Sequence, residues 1–126
     1  MVLVDDQCQM RLTLNRALTR HGFAVLTAGS ASEARTLLEA DVPDVLLSDL
    51  SMGGAPSGAG ADGFSLITWA RAAYPALPAV LMSGQAAPQD LADLTSDGMV
   101  CFLPKPFSTK ALLDSIGRVV AMARSY

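Results

Sequence analysis

The chain contains five short apolar runs, each bounded by polar or turn-forming residues. Apolar residues in these runs mostly follow one another directly instead of alternating with polar ones, which is typical of parallel strands with helices on both faces. The runs have the length of strands and are too short for helices. The five predicted strands are Met1–Val4, Ala24–Ala28, Val45–Ser48, Ala79–Met82 and Cys101–Leu103.

Elsewhere, apolar residues recur at the spacing of one face of an amphipathic helix. The clearest stripe lies near the end of the chain and contains Leu112, Ile116 and Val119. Five helices are predicted in this way, and their apolar positions include Met10–Leu18, Leu37–Leu38, Phe64–Tyr74, Ala87–Leu94 and Leu112–Ala123.

Polar residues and glycine mark where several of these helices begin and end. Ser30 and Glu33 have the spacing of a capping box, which predicts a helix that begins directly after Ser30. Ser108 is the expected N-cap of the last helix. His21-Gly22 is the expected end of the first helix, because glycine readily adopts the left-handed conformation that follows many helices.

Strands that alternate with helices predict an α/β fold, a doubly wound parallel sheet in a three-layer α/β/α sandwich. The chain has 126 residues, so we expect a single domain that covers residues 1–126. In sheets of this kind, ligands bind outside the carboxyl ends of the strands. Candidate functional residues should therefore follow the strands directly.

Composition and charge exclude several classes of protein. Hydrophobic residues make up 51% of the chain, which excludes an intrinsically disordered protein. The net charge of −3 argues against direct contact with nucleic acid. The uncharged stretch Ala72–Gln89 is interrupted by prolines, so no membrane span is predicted, and no signal peptide is recognisable. Cys8 and Cys101 fit reduced thiols in a cytoplasmic protein.

Polar side chains follow four of the five predicted strands. Asp5 and Asp6 follow the first strand, and Asp49 follows the third. Ser83 follows the fourth strand, and Lys105 comes shortly after the fifth. Three carboxylates at one edge would repel one another unless a cation lay among them, and oxygen ligands favour Mg²⁺ or Mn²⁺. A hydroxyl and an ammonium group that face such a cation suit the oxygens of a phosphoryl group.

Each of these residues also has an ordinary structural interpretation. Asp5, Asp6 or Asp49 could cap a helix or stabilise a turn, since aspartate is common at both kinds of position. Ser83 could belong to a simple turn, and Lys105 could be a surface lysine beside a proline. Their shared place at the carboxyl ends of the strands favours a functional site over separate coincidences.

Five motifs, in order along nearly the whole chain, resemble those of the receiver domains of two-component signalling, the phosphoacceptor modules of response regulators and hybrid histidine kinases. The resemblance implies a flavodoxin-like fold with strand order 2-1-3-4-5. The motifs are Val2-Leu-Val-Asp-Asp6, Asp44-Val-Leu-Leu-Ser-Asp-Leu-Ser-Met52, Asp62-Gly63, Val80-Leu-Met-Ser-Gly84 and Phe102-Leu-Pro-Lys-Pro-Phe107.

The resemblance implies roles for the acidic residues. Asp49 would be the nucleophile that takes a phosphoryl group from a phosphohistidine. Asp6 and Asp49 would bind Mg²⁺ or Mn²⁺ together with the backbone carbonyl of Ser51. Asp5 would complete the metal site by holding a water molecule on the ion.

It also implies roles for three residues of the later strands. Ser83 and Lys105 would hold the oxygens of the phosphoryl group. Phe102 matches the aromatic residue that, together with the hydroxyl of Ser83, switches the surface of the family after phosphorylation. The Lys105–Pro106 bond matches a peptide bond that is usually cis in the family.

The partners follow from the same resemblance. A sensor histidine kinase or a phosphotransfer protein would supply the phosphoryl group to this bacterial signalling domain, which is not itself an enzyme but would assist its own phosphorylation and dephosphorylation. A homodimer would form through the fourth predicted helix, the fifth strand and the fifth predicted helix. The motifs also resemble those of receivers in hybrid kinases. We expect no direct contact with nucleic acid or a membrane.

The chain departs from the family in three ways: the stretch Gly53–Ala61 is longer than usual, Gly53 stands where the family usually has proline, and Ser51 and Gln85 occupy the positions that tune the lifetime of the phosphoryl group. Gly53–Ala61 contains only small residues and proline and lengthens the spacing between Asp49 and Asp62. This composition predicts a surface loop, the alternative being a lid or a partner-binding loop.

Three other functions have to be weighed. A receiver fold kept as a binding or dimerisation module with vestigial phosphorylation is the main rival, and the complete acidic set argues against it. A flavin mononucleotide binder would need a Ser/Thr/Gly-rich loop after the first strand, and a phosphatase with an aspartyl nucleophile would need Asp-x-Asp there.

Overall fold

The computed structural model describes residues 1–49, 62–83 and 98–124, which form five strands and four helices. The strands are β1 (Val2–Val4), β2 (Leu26–Ala28), β3 (Leu46–Asp49), β4 (Ala79–Ser83) and β5 (Val100–Pro104). The helices are α1 (Cys8–Arg20), α2 (Ala31–Ala40), α3 (Asp62–Ala73) and α4 (Thr109–Arg124). The fourth predicted helix, Ser51 and the Gly53–Ala61 stretch lie outside the described residues, so α4 is the fifth helix of the sequence-based prediction.

All five strands are parallel and lie in the order β2-β1-β3-β4-β5, which confirms the predicted doubly wound sheet. β1 is an inner strand, and its Val4 lies beside both Ala28 of β2 and Ser48 of β3. Ser48 in turn lies beside Leu81 of β4. This register brings the residues that end or follow β1, β3 and β4 to the same edge of the sheet.

The predicted helix boundaries rest on local hydrogen bonds. The hydroxyl of Ser30 accepts from the N–H of Glu33 at 3.2 Å, and the hydroxyl of Ser108 accepts from the N–H of Ala111 at 3.0 Å. At the end of α1, the N–H of His21 donates to the carbonyl of Leu18 at 3.1 Å. The next residue, a glycine, has a φ of 92°, a conformation that side chains disfavour. These boundaries are confirmed.

The sheet carries one hydrophobic core on each face. Both cores depend on the continuously apolar strands, because successive side chains point to opposite faces. The core on the side of α2 and α3 contains Val4, Leu46, Leu81, Leu38, Leu66 and Ile67. The core on the side of α1 and α4 contains Leu3, Leu47, Val80, Leu14, Leu18, Leu112 and Ile116.

Each strand differs from the predicted bounds by one or two residues at one end or both, and two of these differences affect the packing or the site. β2 starts at Leu26 instead of Ala24 and lies at the edge of the sheet, where the side chain of Leu26 is 55% exposed. Coverage on both faces therefore holds for β1, β3 and β4, which are buried throughout, and not for this edge. β3 extends one residue further than predicted and includes Asp49, whose main chain pairs with Met82.

Two other expectations concern the chain as a whole. Within the described ranges, no helix has the length and apolar character required to cross a membrane. Cys8 is exposed and Cys101 is half-buried, and both are free thiols, as predicted.

Candidate functional site

Three carboxylates meet at the carboxyl edge of the sheet. Asp5 directly follows β1, Asp6 comes next, and Asp49 is the last residue of β3. One oxygen from each of these carboxylates lies within 4.8 Å of the other two. Asp5 and Asp49 are buried, whereas Asp6 is exposed. The parallel register thus gathers residues that are far apart in the sequence into one acidic cluster.

Asp5 is held at three points. Its N–H donates to the carbonyl of Ala28 at 3.1 Å, and its Oδ1 accepts from the N–H of Gln7 at 2.9 Å. Its carbonyl oxygen accepts from Nη1 of Arg11 at 2.7 Å. The remaining carboxylate oxygen, Oδ2, is buried and has no hydrogen-bond partner in the described part of the chain. A buried oxygen without a donor costs free energy, and a cation at this position would remove that cost.

Burial also changes the ionisation of Asp5. Desolvation is the main cause that raises the pKa of Asp5 above its ordinary value. The N–H of Gln7 and the positive charge of Lys105 act in the opposite direction, the negative charge of Asp6 raises the pKa further, and Arg11 lowers it. The net effect is a raised pKa, and a further positive charge beside the carboxylate would lower it.

Lys105 and Ser83 approach the acidic cluster from the later strands. Nζ of Lys105 lies 3.5 Å from Oδ1 of Asp49, and the lysine side chain is 20% exposed. The backbone N–H of Lys105 donates to the carbonyl of Ser83 at 2.6 Å. Ser83 is the last residue of β4 and is buried. The Lys105–Pro106 peptide bond is cis, as the resemblance implies.

Phe102 lies two positions from this edge, on β5. Its main chain pairs with Leu81 of β4, and the half-buried ring packs against the core on the side of α2 and α3. Because side chains alternate along a strand, the side chain of Ser83 is on the same face as Leu81 and Phe102. Ser51, the other residue predicted for this site, lies outside the described residues.

The sequence analysis missed two residues that contact Asp5. Gln7 contributes only its backbone N–H, which almost every residue type supplies, so the sequence carried no signal for it. Arg11 carried a weak signal, since a basic residue early in the helix that follows an acidic strand end can reach back to that end. Its target, a carbonyl group, leaves no trace in the sequence.

The donor set fits a hard divalent cation. Asp5, Asp6 and Asp49 offer only carboxylate oxygens, which suit Mg²⁺ or Mn²⁺ better than softer metals. Oδ2 of Asp5 is the buried oxygen that a cation or a water molecule bound to it would satisfy. The ammonium group of Lys105 lies where it can contact a second anion at the same place.

The chain as a whole is similar to known proteins in sequence and in structure. The family model for the response regulator receiver domain matches residues 1–117. The DNA-binding transcriptional regulator NtrC of Proteus hauseri is 32% identical over 122 residues, which are 97% of this chain and 24% of the relative. The C4-dicarboxylate transport transcriptional regulatory protein DctD of Rhizobium meliloti is 32% identical over 116 residues, 92% of this chain and 24% of the relative. The chain thus spans about a quarter of the length of these curated relatives.

Solved structures show the same likeness. The receiver domain of nitrogen regulatory protein C, determined in solution, superposes with a TM-score of 0.77 at 30% identity and covers 96% of this chain and 94% of its own. A response regulator receiver protein from Sinorhizobium medicae superposes with a TM-score of 0.81 at 26% identity, covering 97% and 94%. A merely vestigial binding module is not favoured by these matches. The chain belongs to the response regulator receiver domain family, and it is a phosphoacceptor domain of two-component signalling.

Proposed function

We propose that Asp49 is the residue that accepts the phosphoryl group. The observation that carries this proposal is the position of Asp49, whose carboxylate belongs to the acidic cluster and has the ammonium group of Lys105 at 3.5 Å. Asp5 is tied down by a backbone N–H, and Asp6 is exposed to solvent. The direct contact between the ammonium group of Lys105 and its carboxylate supports Asp49 as the acceptor.

In the proposed step, a carboxylate oxygen of Asp49 attacks the phosphorus atom of a phosphohistidine. The bond between phosphorus and the histidine nitrogen breaks, and its electron pair returns to the imidazole. The other imidazole nitrogen carries a proton, so a neutral histidine leaves and an acyl phosphate stays on Asp49. Such transfer depends mainly on positioning and on stabilising charge at the phosphoryl oxygens.

Lys105 and Ser83 supply that stabilisation in the proposal. The distance of 3.5 Å between Lys105 and Asp49 is longer than a strong charge-assisted hydrogen bond, which measures about 2.7–2.9 Å. The ammonium group is therefore able to turn from the carboxylate to a phosphoryl oxygen. The hydroxyl of Ser83 donates to a second phosphoryl oxygen from the end of β4.

The proposal also assigns the residues that bind the metal ion. Asp6, Asp49 and the backbone carbonyl of Ser51 would hold Mg²⁺ or Mn²⁺, and Asp5 would hold a water molecule on the ion. The ion would supply positive charge that offsets the repulsion between the carboxylates and the incoming phosphoryl group. The buried Oδ2 of Asp5, which has no hydrogen-bond partner among the described residues, supports this assignment.

The acceptor is tested with a small phosphodonor. Incubation with acetyl phosphate and Mg²⁺ should add the mass of one phosphoryl group to the wild type and none to Asp49→Asn, because the amide is not a nucleophile. Intact-mass spectrometry measures the outcome, and omission of Mg²⁺ should prevent the modification. Equal modification of both proteins would mean that another residue carries the chemistry.

The metal site is tested by calorimetric titration with Mg²⁺. Asp6→Ala should abolish binding, since it removes a charged ligand from the cluster. Cys8→Ala is the matched control, because Cys8 lies two positions away and is exposed, and it should bind as the wild type does. Undiminished affinity in Asp6→Ala would refute the ligand assignment.

We propose a sensor histidine kinase or a phosphotransfer protein as the donor, in the cytoplasm. An apolar cavity of about 390 Å³ lies beside Lys105, between α1 and the segment that leads into α4. Its lining includes Leu14, Phe107 and Leu112, and it would receive apolar side chains of the donor while the phosphohistidine faces Asp49. A hybrid kinase and an NtrC-like regulator are both compatible parents, and the length of the parent reading frame distinguishes them.

A further inference from the structure

We propose that Arg11 is a positioning residue for the cation site and that Gly29 provides the space that Arg11 needs. This inference rests on the proposed function, because it takes Asp5 as a member of that site. It concerns two residues that touch neither the cation nor the phosphoryl group.

Asp5 is anchored at both ends of its backbone. A hydrogen bond of 2.7 Å joins Nη1 of Arg11 to the carbonyl oxygen of Asp5, and Arg11 is itself half-buried. At the other end of the residue, the N–H donates to Ala28 in the neighbouring strand. With both ends of its backbone fixed, Asp5 directs Oδ2 to one place. Without the guanidinium, the connection between β1 and α1 loses its carbonyl anchor, and Oδ2 loses its fixed direction.

Gly29 lies directly against the guanidinium. A Cβ atom added at Gly29 would be 2.9 Å from Nη1 of Arg11, which is closer than real Cβ contacts. The next atom it would meet on another residue is Oε1 of Glu33, at an ordinary 3.5 Å. The φ of Gly29 is not positive, so alanine fits the backbone. Gly29→Ala therefore displaces the flexible end of Arg11 while leaving both the charge and the fold in place.

Electrostatics and positioning predict opposite results for Arg11→Met. A guanidinium repels a nearby divalent cation, so its removal would tighten Mg²⁺ binding if charge were all that mattered. Loss of a group that orients a metal ligand weakens binding instead, typically by about 10–100-fold. The direction of the change in Kd thus separates the two explanations.

The experiment measures the Kd for Mg²⁺ by calorimetry at one ionic strength. The variants are Arg11→Met, Gly29→Ala, the double variant and Arg11→Lys, and the control is Arg16→Met, which removes the same charge from an exposed position of the same helix. Thermal unfolding in EDTA checks that each protein is folded. Labelling by acetyl phosphate is followed as a function of the Mg²⁺ concentration.

We expect Arg11→Met and Gly29→Ala each to raise the Kd by about tenfold or more. The double variant should match Arg11→Met, because Gly29→Ala acts only through the guanidinium. Arg11→Lys should recover part of the affinity, Arg16→Met should bind as the wild type or slightly more tightly, and saturating Mg²⁺ should restore full labelling of the Arg11 and Gly29 variants.

Unchanged or tighter binding in Arg11→Met would overturn the inference, and so would wild-type affinity in Gly29→Ala. Additive losses in the double variant would also overturn it, since Gly29 would then act independently of Arg11. The proposed function fails in a different way, because the wild type itself would then bind no Mg²⁺ or would be labelled outside Asp49.

Discussion

Among single residues, Asp5 shows most clearly how function and stability oppose each other. Its carboxylate is buried, one oxygen lacks a donor among the described residues, and burial raises its pKa. A protein without a cation to bind would be more stable with a neutral group at this position. In the proposed function, a bound cation would offset this cost, because a ligand that binds only the folded state stabilises it by mass action.

A pH-dependent stability follows from the raised pKa of Asp5. Between the ordinary value of 3.8 and the raised value, the folded state binds more protons than the unfolded state, so ionisation of Asp5 lowers the free energy of unfolding as the pH rises. In EDTA, Asp5→Asn should therefore raise the thermal midpoint at pH 7. The gain should disappear as the pH falls below 3.8, where Asp5 is neutral in both states.

Thermal unfolding of both proteins across this pH range measures the effect. Asparagine keeps an Oδ1 that can accept from the N–H of Gln7, and it replaces the charged Oδ2 by a neutral amide nitrogen. Asp114→Asn, on the exposed side of α4, is the control and should show no such pH-dependent gain. A lower midpoint for Asp5→Asn at pH 7 in EDTA would contradict the argument.

At the scale of elements, the caps of α2 and α4 determine where one helix on each face of the sheet begins. The hydroxyl of Ser30 satisfies the N–H of Glu33, which has no partner within the helix itself. α2 then packs Ala34 and Leu38 into the core beside β1 and β2. Its start also determines where Gly29 stands relative to Arg11.

Removal of the Ser30 cap should lower the free energy of unfolding by about 1 kcal/mol, since Ser30→Ala leaves an amide of the first turn without its acceptor. Urea denaturation measures this loss. Ser32→Ala, two positions along the same helix at an exposed site, is the matched control and should change the stability by less than about 0.5 kcal/mol. Equal effects of the two substitutions would show that the hydroxyl of Ser30 does not act as a cap.

The elements also show which features a sequence can reveal. Caps such as Ser30 and Ser108 were predictable because they depend on residues three positions apart. The meeting of Asp5 with Asp49 was predictable because parallel strands present their carboxyl ends at one edge. The start of β2 at Leu26 was not, since a strand at an edge ends where its single neighbour stops pairing with it.

The contact between Arg11 and Asp5 could not be predicted from the sequence for a different reason. It depends on one rotamer of a long side chain and on the space above Gly29, and neither leaves a periodic pattern. The residue types alone indicated a cation and a phosphoryl group, whereas the separate role of each carboxylate was implied only by the family motifs. Side-chain distances such as 3.5 Å between Lys105 and Asp49 required the folded chain.

At the scale of the whole molecule, the structural effect of phosphorylation has to extend from the site to a surface that a partner can contact. Ser83 and Phe102 lie on the same face of neighbouring strands, with the main chain of Leu81 beside that of Phe102. A phosphoryl group on Asp49 would draw the hydroxyl of Ser83 towards it and open space that the half-buried ring of Phe102 can fill. Such a pair would form a two-state element that is biased by a local charge.

Ser83→Ala should therefore still accept the phosphoryl group on Asp49, but the structural change that follows at Phe102 should be small. NMR shifts of Cys101–Leu103 would be compared with and without beryllofluoride, which mimics the phosphoryl group. The wild type should show large shifts at these residues, and Ser83→Ala should show small ones. Full-sized shifts in the variant, or none in the wild type, would remove the hydroxyl-to-aromatic coupling from consideration.

The arrangement of the sheet has one more consequence. The groups that surround Asp49 are carried by the ends of β1, β4 and β5, which lie on both sides of β3 in the assembled sheet and are far apart in the sequence. A misfolded copy of the chain retains Asp49 but lacks the neighbouring groups that are proposed to support phosphorylation. Phosphorylation would therefore be confined to correctly folded copies, and misfolded copies would not contribute to the signal.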